Sequence, residues 1–140
     1  MKEYTSNNIG DTQKIAKEVA GTLRGGELIA LAGNLGAGKT VFLKALARAM
    51  GIEDNITSPT FVLMKVYDAD FGKVERLVHV DCYRLEHAED LQDIGLGDYL
   101  NHDNNVVVVE WADKINDLPE GTIYIKIESL GGDKRKIIID

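Results

Sequence analysis

Positions 33 to 40 read Gly33-Asn34-Leu35-Gly36-Ala37-Gly38-Lys39-Thr40, the G-x-x-x-x-G-K-[ST] spacing of a phosphate-binding P-loop. The chemistry dictates the residue types. A backbone that wraps an anion must take unusual dihedrals and approach it closely, which Gly33, Gly36 and Gly38 allow. The N–H groups of Asn34, Leu35, Gly36, Ala37 and Gly38 can then point at one set of phosphate oxygens. Lys39 adds a point charge for the β and γ phosphates, and Thr40 offers Mg²⁺ a hard hydroxyl oxygen at the start of a helix whose N-terminus is itself partly positive. One loop therefore implies a nucleotide and a metal ion.

A working P-loop needs a buried strand before it and a helix after it. Residues 28–32 are an apolar run, and residues 40–50 place Phe42, Ala45, Leu46, Ala49 and Met50 on one helical face before Gly51 stops them. Upstream, residues 11–23 read as a helix with Ile15, Ala16, Val19, Ala20 and Leu23 on one face, Asp11 or Thr12 as its cap, and Gly25-Gly26 as its end. Downstream, residues 55–60 are a loop around Pro59, and strands are expected over 61–67 and 74–81, joined by a hairpin loop over 68–73. Residues 86–100 read as helical with breaks at Gly95 and Gly97, 106–109 as a buried strand, and 122–128 and 135–139 as two strands around Gly131-Gly132. The expected fold is α/β: a single three-layer P-loop NTPase domain over residues 1–140, its mixed sheet parallel near the nucleotide and antiparallel at its edges.

A P-loop holds phosphates, but hydrolysis calls for a carboxylate near the metal. Two apolar strands end on one: Leu77-Val78-His79-Val80-Asp81 and Val106-Val107-Val108-Val109-Glu110. Ligands of an open α/β sheet sit beyond the carboxyl ends of its strands, so both acids can face the γ-phosphate. Either could bind the metal, and Glu110 could instead orient or deprotonate the attacking water. Strand alternation puts His79, Asp81 and Tyr83 on one face; with no second metal-ligand spacing nearby, His79 reads as a hydrogen-bonded structural residue. Arg84 could sense phosphate or pair with Glu86, and no other arginine stands near these motifs. Thr57-Ser58-Pro59-Thr60 lies where P-loop proteins carry switch loops, whereas Asp70-Phe71-Gly72 is a hairpin turn despite its likeness to a kinase metal motif.

At 140 residues and 44% hydrophobic composition, the chain can build one ordinary core. It has a single cysteine, Cys82, expected to be a small core or loop residue, no signal-peptide pattern and no apolar run of membrane-spanning length, which makes a reducing, cytoplasmic setting the expectation. A net charge of −7 argues against this chain gripping a nucleic-acid backbone by itself, so any RNA must be held by a partner. The acidic run from Glu86 to Asp93 reads as an exposed face.

Taken in order, the P-loop, Thr57-Ser58-Pro59-Thr60-Phe61, His79-Val80-Asp81-Cys82-Tyr83-Arg84-Leu85, the run from Asp90 to Leu96 and Val109-Glu110-Trp111 closely resemble the TsaE family, also known as YjeE. The resemblance spans nearly the whole chain, and its motifs are specific as an ordered set although the P-loop alone says only nucleotide. It implies the small ATPase of bacterial tRNA threonylcarbamoyladenosine biosynthesis, which binds the TsaB–TsaD heterodimer and hydrolyses ATP to support turnover of the TsaD transferase, touching tRNA only through that complex. By match, Lys39 and Thr40 hold phosphates and Mg²⁺, Asp81 and Glu110 serve the metal and hydrolysis, Thr12 lies near the nucleotide, and Trp111 sits in a mobile segment beside the site. Asn34 stands where the family usually has Asp, which removes a charge from the loop and leaves the backbone cradle intact. The rival readings are a small-molecule kinase, for which acceptor-binding and lid segments are missing, and a guanine-nucleotide switch, for which an N-K-x-D segment is missing.

Overall fold

The computed structural model describes residues 1–33, 37–56, 64–81, 96–100, 102–110 and 118–140. In chain order the elements are β1 (Lys2–Ser6), α1 (Ile9–Thr22), β2 (Leu28–Ala32), α2 (Lys39–Ala49), β3 (Met64–Phe71), β4 (Val74–Asp81), a 3₁₀ turn (Leu96–Asp98), β5 (Asn105–Glu110), β6 (Ile123–Gly131) and β7 (Lys134–Ile139). The strands form one seven-stranded sheet in the order β1-β7-β6-β2-β5-β4-β3. Its centre, β6-β2-β5-β4, is parallel, while β1, β7 and β3 pair antiparallel at the edges, the mixed α/β arrangement that the sequence implies.

Parallel strands covered on both faces read as near-continuous apolar runs, and every residue of β5 is buried. Alternation divides that sheet into two packed surfaces. Ile29 and Leu31 of β2, Leu77 of β4 and Val106 and Val108 of β5 meet Ile15, Ala16 and Val19 of α1 and Phe42, Leu43 and Leu46 of α2. Leu28, Ala30, Val78, Val80, Val107 and Val109 form the opposite surface, where Leu96, Tyr99, Leu100 and Leu118 pack. The expected apolar face of α1 is the face that folds inward, whereas from α2 the buried stripe is Phe42, Leu43, Leu46, Ala47 and Met50, with the expected Ala45 and Ala49 half-buried at its edge.

Several boundaries differ from expectation for local reasons. The first helix begins at Ile9, before the expected residue 11, because Asn8 is its cap: Asn8 Oδ1 accepts from Asp11 N–H at 2.8 Å, and Asp11 Oδ2 accepts from Asn7 N–H at 3.0 Å. Thr12 is not a cap but a buried residue of the first turn. Strand β3 continues through most of the expected hairpin loop, since Asp68 pairs with Arg76 and Phe71 with Val74 around a register shift, leaving Gly72 and Lys73 as the turn. Strand β1 has no counterpart in the sequence reading. Leu96–Asp98 form a 3₁₀ turn with Gly97 inside it, where a helical break was expected, and residues 86–95 of that expected helix lie outside the described residues.

Candidate functional site

Strand β2 delivers the chain to Gly33, and α2 carries it away from Gly38. Gly33 has φ of 153°, and a Cβ added there would lie 2.7 Å from the Ile127 carbonyl oxygen, so the loop passes too close to β6 for any side chain. Gly38 caps α2 in the left-handed region at φ 100° with no side-chain hydrogen bond to the helix. The bond from Phe42 N–H to the Gly38 carbonyl at 3.1 Å closes the first helical turn. In an α-helix the N–H groups ahead of that one have no intrahelical acceptor, which leaves them for an anion. Ala37 is buried, Lys39 is buried with its Nζ included, and Thr40 is exposed at the first turn. Asn34, Leu35 and Gly36 lie outside the described residues.

The two strand-ending carboxylates come together beside this loop. Asp81 and Glu110 are register partners at the ends of parallel β4 and β5, and Glu110 is in turn the register partner of Leu31, two residues before Gly33. Register partners of parallel strands point to one face, here the face on which α1 and α2 pack. Asp81 is partly exposed, and Glu110 is only 3% exposed. His79 shares that face, and its Nε2 stands 3.6 Å from Glu110 Oε1. Neither imidazole nitrogen of His79 has a hydrogen-bond partner among the described residues.

Two further groups approach from the β1–β7 edge. Ser6, at the end of β1, shares a 2.7 Å hydrogen bond with the Thr12 hydroxyl, both side chains being buried, and Ser6 is the register partner of Arg135 on β7. A Cβ added to Gly38 would lie 2.9 Å from Arg135 Nε, so this guanidinium rests against the turn into α2. Arg135 Nη1 donates to the Gly132 and Lys134 carbonyls at 2.7 and 2.8 Å, which fixes the side chain to its own hairpin. The sequence reading found no arginine near the motifs besides Arg84; Arg135 corrects it. Strand alternation could not have shown this placement, because it depends on β7 lying beside β6 at the loop end of the sheet. Arg84, Cys82, Tyr83, Trp111 and residues 57–60 lie outside the described residues.

Residues 6–137 match the model of a family described as "Threonylcarbamoyl adenosine biosynthesis protein TsaE". The chain belongs to the TsaE family. Among curated relatives, the tRNA threonylcarbamoyladenosine biosynthesis protein TsaE of Aquifex aeolicus is 40% identical, with 99% of this chain and 96% of that protein covered. The protein of the same name from Bacillus subtilis is 40% identical, with 96% of this chain and 82% of that protein covered. A crystal structure titled as Bacillus subtilus YdiB superposes with a TM-score of 0.72 at 33% identity, covering 97% of this chain and 82% of that one. This TsaE family member thus falls within tRNA threonylcarbamoyladenosine biosynthesis, in a nucleotide-binding P-loop fold. Among the described residues no helix is long and apolar enough to cross a membrane.

Proposed function

We propose that this chain is a cytoplasmic, single-domain P-loop ATPase that binds the TsaB–TsaD heterodimer and couples Mg-ATP hydrolysis to turnover of the TsaD transferase. The observation that carries the reading is the registered pair Asp81 and Glu110 at the ends of two parallel strands, beside the strand that feeds Gly33. Phosphoryl chemistry places its carboxylates there.

The residues fit a Mg-nucleotide. Gly33 and Gly38 keep side chains out of the cradle, and Thr40, Asp81 and Glu110 are hard oxygen donors. When bound, Mg²⁺ supplies positive charge to the phosphate oxygens. The backbone from Asn34 to Gly38 and the N-terminus of α2 bind the phosphates, and Lys39 neutralises their charge. Thr40 and Glu110 would hold the metal, Asp81 would serve the nucleotide and the metal's hydration shell, and Glu110 would orient water for hydrolysis. Thr12 borders the nucleotide, and Arg135 adds a cation beside Gly38. Transfer RNA, an anion, is left to the partner proteins by a chain of net charge −7.

An ATPase assay with and without purified TsaB–TsaD, run in parallel with GTP, tests this reading. Weak hydrolysis alone and a rise on adding the heterodimer are expected. Equal rates with and without partner would remove the coupling, and brisk partner-free phosphorylation of a small acceptor would make the chain a kinase.

A further inference from the structure

Glu110 carries much of the proposed chemistry, yet nothing in its own strand fixes its carboxylate. The terminal torsion of a glutamate is broad and roughly two-fold, so a carboxylate at a strand end needs a neighbour to choose which oxygen faces the phosphates. Below Glu110 on its own face of β5 lie Val108 and Val106, which offer no hydrogen bond. On the adjacent strand, one alternation below Asp81, the same face carries His79, 1% exposed.

An imidazole is a costly choice for that position. Leu77, Val78 and Val80 around it are fully buried and apolar, and a buried polar group without a partner loses the hydrogen bonds that water gave it. Both His79 nitrogens lack a partner among the described residues, and Nε2 is 3.6 Å from Glu110 Oε1. That separation lies within ion-pair range but exceeds a hydrogen bond by about half an ångström.

We propose that His79 is a positioning residue for Glu110: its Nε2–H donates to Oε1 as the site tightens around nucleotide, which fixes the carboxylate and leaves Oε2 toward the phosphate side. The proposal rests on the reading of Glu110 as a nucleotide-site acid. A donor that orients a metal-binding carboxylate from behind typically changes metal affinity or activity by about tenfold to a hundredfold when removed.

The test uses the full chain. Histidine side-chain nitrogen–proton spectra, assigned through H79Q, report which ring nitrogen of His79 carries the proton. The expected result is a proton on Nε2, with the His79 signals moving more in E110Q than those of His87 and His102. A proton on Nδ1 alone, or His79 signals indifferent to E110Q, overturns the proposal.

H79F keeps an aromatic ring in the core and removes both nitrogens, whereas H79Q restores an N–H at the position of Nε2. In H79F the Mg²⁺ dependence of binding a fluorescent ADP should weaken about tenfold or more, metal-free ADP binding should stay unchanged, and partner-stimulated turnover should fall in kcat more than in KM. H79Q should recover most of the loss. Equal losses in both variants, or none in H79F, overturn the positioning role. Should H79F fail to fold by near-ultraviolet circular dichroism, the spectra of the wild-type and E110Q proteins decide alone. Failure of the wild-type chain to bind ADP would sink the nucleotide reading instead, and the spectra would still judge the His79–Glu110 contact.

Discussion

Lys39 and Glu110 separate the two halves of the proposed chemistry, because one answers to charge already present on bound phosphate and the other to events during hydrolysis. Replacing Lys39 with Ala removes a charge-assisted contact worth about 1.5–3 kcal/mol, so calorimetry should show ATP affinity reduced roughly tenfold to more than a hundredfold. Because the whole Lys39 side chain is buried at the start of α2, the fold should be checked beside the affinity. Near-normal binding in a folded variant would remove the P-loop assignment. Glu110→Gln preserves shape and loses the negative charge, so nucleotide should still bind while turnover with TsaB–TsaD falls by about 10²-fold or more. Turnover within a few-fold of the parent would shift the chemistry to Asp81. Lys39, Thr40, Asp81 and Glu110 were legible as candidates because each follows from a local pattern: a glycine spacing, or an acid at the end of an apolar run. Arg135 was not, since only the pairing of β7 with β6 and β1 brings it to Gly38. Arg135→Ala should therefore weaken ADP binding while leaving the unfolding transition near that of the parent. An unchanged dissociation constant would leave Arg135 as a hairpin residue that happens to lie near the loop.

The elements that place these residues were legible in proportion to how far their signal is local. Long apolar periodicity marks α1, α2, β2 and β5, because helices and central parallel strands carry their burial pattern in consecutive residues. Strand β1 has no such mark because only Ser6 in it is buried; its five residues are held by pairing with β7 and not by a pattern of their own. The start of α1 differs from expectation although its signal is present: Asn8 followed three residues later by Asp11 is a capping spacing, in which Asn8 Oδ1 accepts from Asp11 N–H while Asp11 Oδ2 accepts from the N–H of Asn7, one residue before the cap. That cap has a measurable weight. Asn8→Ala should lower stability by about 1 kcal/mol in urea denaturation with the slope unchanged, and no loss would mean that β1 and Thr12 alone hold the start of the helix. Gly33 is the element-scale counterpart in the site. An alanine there must push the β2–α2 turn away from the Ile127 carbonyl, so Gly33→Ala should lose both nucleotide binding and stability, unlike Lys39→Ala.

At the scale of the whole molecule, the proposed nucleotide site lies at one end of a sheet whose core stands on residues elsewhere, so ligand and fold should be linked only by binding. A ligand at 100 times its dissociation constant adds about 2.7 kcal/mol of stability, which for a domain of this size raises the melting temperature by several degrees. Mg-ATP and Mg-ADP should give that shift, and Lys39→Ala should abolish it. The acidic balance sets the other whole-molecule property. With a net charge of −7, counterion release gives this chain little affinity for RNA, so filter binding should detect no tRNA complex at physiological salt until TsaB–TsaD is added. P-loop enzymes of other kinds receive groups that complete their sites in trans. Slow hydrolysis alone, a rise on adding the heterodimer, and loss of multiple-turnover tRNA modification in Lys39→Ala, Asp81→Asn and Glu110→Gln are then one expectation, because all three follow from a site completed by its partners. Full modification activity in those variants would refute the coupling even if each had lost its own ATPase, since the transferase would then be turning over without the chemistry assigned to this chain.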